Sequence, residues 1–467
     1  MSDVLAQLRA LRADDLPTHG GRTLAYVYDS GLEGIDELAA AAHALASSAN
    51  GLDPTAFPSL LRMENDLVAA AGRLLGGGVG SVTSGGTESC LLAVLAAREG
   101  RPDIAQPNIV LPSTAHAAFH KAAHLFRVRA VSVPVDPETF RADPGAMAAA
   151  IDEETVLVVA SAPSYGHGVL DPVEPIAAAA AAHGVRMHVD ACIGGWVLPY
   201  FRRLGRDVPA FGFDVEGVTS ISVDLHKYAY CPKGVSVLLH RDAELRRGHY
   251  FASARWPGYT MLNTTIQSTR SGGPLAAAWA VLRTIGDEGY LGLAERTLAA
   301  VTEIREGVEA IDGVRVLGEP DSTLIALTAT TGEFDLFTVA DEMRERGWYV
   351  QPQFAHESSP VNLHLTVTAA NRGSEAAFLG DLSASVAAAR AAGPVIVEGN
   401  VAAFVAALDP QTLTGEQFAG LLAAAGLTGG GALPTRMAGI NALLAEAPPA
   451  LRERLLLEFL GGLYLPS

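Results

Sequence analysis

Short apolar runs alternate with helical stretches through the first two thirds of the chain. The opening MSDVLAQLRALRADD has the spacing of a charged amphipathic helix. An entry stretch from Thr18 to about Asp53 follows, carrying the aromatic patch Tyr26–Val27–Tyr28, and Pro54–Leu75 reads as a loop running into an amphipathic helix. SGGTES then leads into the strongly helical Cys90–Arg98. Beyond it the pattern predicts strand Ile109–Leu111, helix Ala115–Phe126, strand Val128–Val133, helix Pro144–Ala150, strand Val156–Ala160 and helix Pro172–His183. Strands Met187–Val189, Ser220–Val223 and Val235–His240 complete the series. Runs this apolar, interleaved with helices, predict an α/β fold whose mostly parallel sheet is covered on both faces. Ligands of such sheets gather beyond the strand C-termini.

From about Gly286 the pattern changes. Helix Leu291–Ile311 precedes β-type runs Val314–Leu317 and Leu324–Thr328, helix Asp335–Arg346, runs Trp348–Gln351 and Val361–Val367, and helix Glu375–Ala392. Residues after Gly399 read as helices interrupted at the glycine-rich Gly426–Gly431. Three parts are expected: an N-terminal segment, 1–55, that contributes to the site; a large domain, 56–285; and a C-terminal α+β domain with a helical tail, 286–467. There is no internal repeat.

Composition narrows the function. With 49% hydrophobic and 18% charged residues the chain is globular, and its positive mean hydropathy comes from alanine-rich helices such as Ile176–Ala182. No apolar run approaches the ~20 residues of a membrane-spanning helix, and the N-terminus lacks the apolar centre of a signal peptide. The net charge of −18 leaves no basic stripe for nucleic acid or an anionic membrane. Cys90, Cys192 and Cys231 are far apart, odd in number and without metal spacing, so we expect packing residues, no metal, and a reducing cytoplasm.

Only three lysines occur, Lys121, Lys227 and Lys233, and two of them lie in SVDLHKYAYCPKG after a predicted strand. Arginine is always protonated, whereas a lysine amine can lose its proton and form a Schiff base. Lys227 is therefore either a solvated loop lysine or a nucleophile. SGGTES at a loop-to-helix junction is either a tight turn or a phosphate seat built from free amides and the hydroxyl of Thr87. It matches neither the P-loop nor the dinucleotide fingerprint. Asp190, at the end of a strand in HVDACIGG, reads as a cap, a buried ion pair or a partner for a pyridinium nitrogen. His116 opens a helix after another strand and His167 sits in a Gly-bounded loop; each is a packed or capping residue, or stacks on a flat ring. A phosphate seat, a stacking imidazole, a carboxylate and a nucleophilic lysine along one sheet are what pyridoxal phosphate (PLP) requires.

SGGTES, AHAAFHKAA, HGVLDP, HVDACIGG, TSISVDLHKYAYCPKGVSVLL and TRSGG resemble the fold-type I PLP enzymes of the group II decarboxylase superfamily, and within it the sphingosine-1-phosphate lyase family. The resemblance runs from about Thr18 to the C-terminus. It implies Lys227 as the Schiff-base lysine, Asp190 at the pyridinium nitrogen, His116 stacked on the ring, and Gly86, Thr87 and His226 on the cofactor phosphate, with His167 also near the cofactor. It places Thr269 on the phosphate of a neighbouring subunit's cofactor, hence a homodimer with shared sites, and gives Tyr28 and Lys233 to a substrate phosphate. Asp53 stands where the lyases carry a phosphate-binding histidine, and it could instead hold a hydroxyl or an amine. The implied reaction is retro-aldol cleavage of a β-hydroxy amine to an aldehyde and a small amine. The alternative is decarboxylation of an amino acid, with Arg270 as the carboxylate receptor.

Overall fold

The computed structural model describes residues 2–397, 405, 407–424 and 435–464. They fall into two compact units. The first comprises Met1–Glu303, Leu317–Ala326 and Thr366–Gly373; the second comprises Ile304–Val316, Leu327–Leu365 and Ser374–Ser467. The expected boundary at 285 thus lies inside the first unit. The pattern change at Gly286 is a kink inside Gly272–Glu309, where φ 64° and ψ 177° separate two successive helices. Glycine tolerates that φ.

The first unit is built on a sheet of β1 (Val79–Thr83), β2 (Asn108–Pro112), β3 (Arg129–Val133), β4 (Thr155–Ser161), β5 (Arg186–Asp190), β6 (Ser220–Val223) and β7 (Ser236–His240), in the order β1-β7-β6-β5-β4-β2-β3. The pairs β2–β3, β2–β4, β4–β5 and β5–β6 are parallel, and β7 runs antiparallel to β1 and β6. β4 is buried along its whole length, as expected of a strand covered on both faces. The C-terminal ends of the six co-directional strands and the start of β7 therefore share one edge. In the register Asp190 lies between Ser161 of β4 and Ser222 of β6, and His188 lies opposite Ser220.

Two local differences have physical reasons. The helix predicted from Ala115 begins at Ala118, because His116 Nδ1 accepts the Ala118 amide (3.1 Å) and holds the preceding turn open. A hairpin of β8 (Phe251–Ser253) and β9 (Met261–Asn263) leaves Phe251, Trp256, Tyr259 and Leu262 exposed, so it lacks the inward apolar face that sequence patterning detects.

A four-stranded sheet, of order β10 (Val314–Val316), β11 (Leu324–Ala329), β13 (Asn362–Thr366), β12 (Gln351–Gln353), spans the junction in sequence between the units. In the second unit Asp335 caps helix Leu336–Glu345 through the Thr338 amide, and Trp348 packs edge-on against Phe378. Helices Gly415–Ala424, Ala438–Glu446 and Pro449–Leu463 form the tail; the predicted break at Gly426–Gly431 lies outside the described residues. No described helix is long and apolar enough to cross a membrane.

Candidate active site

At the shared edge of the large sheet lies a cavity of about 490 Å³, within the usual range for small-molecule sites. Gly86, Thr87, His116, Asp190, His226, Lys227 and Lys233 all line it. β1 hands over to helix Gly86–Glu99 through Ser84–Gly85. Buried Glu88 fixes that turn by accepting from the Ser84 amide (2.6 Å), while its other oxygen accepts from the Ile266 amide (2.9 Å). Gly86 is required by close approach: a Cβ there would lie 2.7 Å from both Asp224 Oδ1 and Cys192 Sγ. The first amides of the helix have no intrahelical acceptor and carry the positive end of its dipole, so they face the cavity as an anion seat.

Lys227 follows β6 in a turn pinned by tyrosines. Tyr228 donates to Val367 O (2.8 Å), Tyr290 donates to Ala229 O (2.8 Å), and Tyr230 Oη accepts from the Ala369 amide (3.2 Å). Lys227 Nζ is 3.0 Å from Asp224 Oδ2. Burial opposes its charge, but the carboxylate of Asp224, assisted by Cys192 and Asp190, outweighs burial and raises the pKa above its ordinary value. Asp224 is itself buried, accepts from Ser236 Oγ (2.6 Å), and lies 3.6 Å from His226 Nε2. Burial acts to raise its pKa, and the neighbouring Lys227 cation, with the His226 ring and the Ser236 hydrogen bond, reverses that. Lys227 is thus held as an ammonium pointing into the cavity. His226 Nδ1 lies 3.0 Å from Val235 O, so that nitrogen carries the ring proton; burial lowers the imidazole's pKa.

Lys233 is exposed as a residue, but its Nζ turns inward. It donates to Val27 O and to His226 O (2.9 Å) and sits 4.3 Å over the Tyr28 ring. Desolvation of the amine and the neighbouring Lys227 push its pKa down to about 8. Asp190 closes the other side. Its Oδ1 accepts from the Cys192 amide (3.1 Å) and from Ser222 Oγ (3.4 Å). Among the described residues both of its side-chain hydrogen bonds fall on Oδ1, which leaves Oδ2 for a ligand. Across the cavity mouth His116 faces Tyr165 edge-on at 6.5 Å.

Five expected site residues are outside the lining of this cavity, among them Thr269, which was expected at a neighbouring subunit's cofactor. His167 is buried against Phe140, ring on ring at 3.9 Å and 6°, where burial lowers its pKa to about 4; it does not line the cavity. The Arg270 guanidinium donates to Val82 O (2.9 Å) and pairs with Glu64 (3.3 Å). Thr269 is exposed beside it. Asp53 Oδ1 accepts from the Thr55 amide, the Thr55 hydroxyl and the Ala56 amide, so its carboxylate caps its own turn. Tyr28 contacts the site only through Lys233. Asp224 and Glu88 were missed in the sequence. A carboxylate three residues before the lysine was the available signal for Asp224; nothing distinguished Glu88 from an ordinary first-turn acid.

Among the described residues one group has metal-ligand spacing: Cys90, Asp190 and Cys192, with ligand atoms within 4.8 Å of one another. A hydrogen bond donated to Cys90 and burial beside Asp190 and Asp224 hold the Cys192 thiol well above its ordinary pKa. It is a poor thiolate ligand, and it lines the cavity as a thiol.

A model of the pyridoxal-dependent decarboxylase conserved domain matches residues 25–329. The chain belongs to that family. A second model, the C-terminal putative HTH domain of pyridoxal-dependent enzymes, matches residues 399–462. The chain is 39% identical to the sphingosine-1-phosphate lyase of Dictyostelium discoideum over 349 residues, 74% of this chain and 65% of that protein. It is 37% identical to the Arabidopsis thaliana sphingosine-1-phosphate lyase over 382 residues, 79% and 69% of the two chains. Its fold matches the solved structure of a Burkholderia pseudomallei sphingosine-1-phosphate lyase with TM-score 0.79 and 38% identity, covering 84% of this chain and 91% of that one. The architecture is fold-type I, the cofactor is PLP, and the protein is a PLP-dependent lyase. The cavity fits that cofactor: an anion seat at a helix start, a carboxylate and an amine all line it.

Proposed function

We propose that the protein cleaves the Cα–Cβ bond of a phosphorylated β-hydroxy amine, giving an aldehyde and a small phosphorylated amine, as a sphingosine-1-phosphate-lyase-like enzyme. The observation that carries this reading is that Lys227, Asp190 and the helix start at Gly86 face one cavity in a chain so similar to those lyases. Bound there, PLP supplies a carbonyl for the substrate amine and an electron sink for the bond that breaks. Lys227 is the amine that would hold it, and Asp190 the carboxylate that would meet its ring nitrogen. His116 would flank the ring, and Gly86, Thr87 and His226 would take its phosphate. Lys227 and Lys233 are the two amines near enough to carry protons for the reaction. Lys233, backed by Tyr28, is also the cation for a substrate phosphate. Asp53 does not line the cavity, and its carboxylate caps its own turn.

The amino-acid decarboxylase reading requires a receptor for the substrate carboxylate. Its candidate, Arg270, is already engaged by Glu64 and Val82, which favours the lyase. The deciding assay supplies phosphorylated and unphosphorylated β-hydroxy amines and amino acids to the holoenzyme and measures aldehyde and CO2. Aldehyde from the phosphorylated amine, lost in Lys227→Ala, is expected; CO2 release without aldehyde would overturn the proposal.

The working form in this proposal is a homodimer in a reducing compartment, the cytoplasm. The exposed apolar hairpin Phe251–Asn263, just before exposed Thr269, supplies contact surface, and three buried free cysteines suit reducing conditions. Sedimentation of the holoenzyme as a monomer would remove the dimer from the proposal.

A further inference from the structure

Behind Asp190 lies a buried polar row that neither the motif resemblance nor the cavity lining accounts for. β5 and β6 pair so that His188 faces Ser220 and Asp190 faces Ser222. All four are at least nine-tenths buried. Ser220 Oγ is 2.9 Å from His188 Nδ1, His188 Nε2 is 3.2 Å from Ser222 Oγ, and Ser222 Oγ is 3.4 Å from Asp190 Oδ1. Cys192 Sγ also reaches Ser222 Oγ (3.3 Å).

The proton directions in this row follow from counting donors. Ser222 has one hydroxyl proton, and a carboxylate can only accept, so that proton goes to Asp190. His188 must then donate from Nε2 to Ser222, and its Nδ1 accepts from Ser220. That is the neutral imidazole, as a histidine sealed between strands and packed edge-on against Phe119 should be. Every dipole in the row points its positive end towards Asp190. The hydrogen bonds of the row are fixed by strand register rather than by mobile side chains.

We propose that Ser222 and His188, with Ser220 behind them, are positioning residues that hold the Asp190 carboxylate in place, aimed at the ring nitrogen of PLP. The inference rests on the assignment of Asp190 made above. It concerns cofactor retention rather than the substrate, since none of the three lines the cavity.

The test compares two cofactors on the full-length protein stripped of PLP: PLP itself and 1-deazapyridoxal phosphate, in which carbon replaces the ring nitrogen. Binding is read from the absorption of the bound cofactor, and the fold of each stripped variant from its thermal unfolding. Ser222→Ala, which deletes one oxygen, should weaken PLP binding by roughly ten- to a hundredfold, the scale for loss of the partner behind a ligating group. It should leave the deaza analogue's affinity at the wild-type value. His188→Phe should do the same, and His188→Gln, which keeps an N–H of similar reach, should recover most of the PLP affinity. Wild-type PLP affinity in Ser222→Ala, or equal losses for both cofactors, would overturn the relay. Asp190→Asn separates the two assignments. If it binds PLP normally, the reading of Asp190 is wrong. If it loses PLP while the Ser222 and His188 variants do not, only the relay is wrong.

Discussion

Asp224→Asn isolates the contact that sets the state of Lys227. The wild-type pair is 3.0 Å apart, with the carboxylate 3% and the lysine side chain 28% exposed. Two unit charges at that distance attract by about 5 kcal/mol at an effective dielectric of ~20. Partial exposure of the lysine discounts this, and breaking one side of a buried pair costs about 3–5 kcal/mol when the remaining charge is sealed. We therefore expect about 2–4 kcal/mol of lost stability at pH 7, with asparagine keeping the Ser236 contact. The sign with pH follows from Asp224. Its pKa is lowered on folding, so its contribution is present above the ordinary carboxylate value and lost as pH falls through the lower folded value. The gap between variant and wild type should thus be widest near neutrality and close in acid. Lys227 makes a second readout. Without Asp224, burial is opposed only by the smaller effects of Cys192 and Asp190 and the pKa of Lys227 falls, each unit giving tenfold more neutral amine, the form that condenses with an aldehyde. Urea unfolding of the cofactor-free protein across pH and the rate of PLP loading at pH 7 test both. An unchanged midpoint together with an unchanged loading rate would refute the account of how Lys227 is held.

Other variants probe separate parts of the site. Gly86→Ala places a methyl 2.7 Å from Asp224 Oδ1 and Cys192 Sγ, and should cost about 1–3 kcal/mol in urea unfolding and weaken PLP binding, since the collision moves the partner of Lys227. Lys233, with its pKa near 8, should make kcat/KM for a phosphorylated substrate fall as pH rises through that value, because the ammonium that meets the phosphate is lost; Lys233→Gln should abolish the inflection and raise KM more than it lowers kcat. Glu88→Gln faces one backbone amide with an NH2 group, and should speed hydrogen exchange at Ser84 or Ile266 with a loss of about 1–3 kcal/mol locally.

The parts of the site legible in the sequence are those fixed by local chain order. Asp190 ends an apolar strand, Lys227 follows another, and Gly86 opens a helix, so knowing only that the strands are parallel puts all three on one edge. Lysine scarcity singled out Lys227 and Lys233; Lys121, exposed on its helix, shows that scarcity alone did not suffice. What sequence order could not give was pairing across the sheet and between distant loops. Arg270 looked like a free anion receptor because Glu64, its partner, is 206 positions away. His167 looked like a ring-stacking residue, and it does stack, but on Phe140. Glu88 joins two loops separated by 178 positions.

The two amines show why this limit matters for mechanism. They are six positions apart, and by residue type alone are equivalent nucleophiles. The structure sets Lys227 against Asp224 and raises its pKa, whereas Lys233, given only carbonyl oxygens and an aromatic face, falls to about 8 beside that same cation. The repulsion is mutual in origin but unequal in outcome, because only one of the pair has a carboxylate at 3.0 Å. Lys227→Met removes an ammonium from the site, and with it a charge that helps depress Lys233. The Lys233 inflection should therefore lie higher in that variant than in the wild-type protein, both without cofactor. Titrating the Lys233 amine by isotope-edited NMR in both proteins gives the comparison, and an inflection that does not move would show that burial alone, without Lys227, sets its pKa.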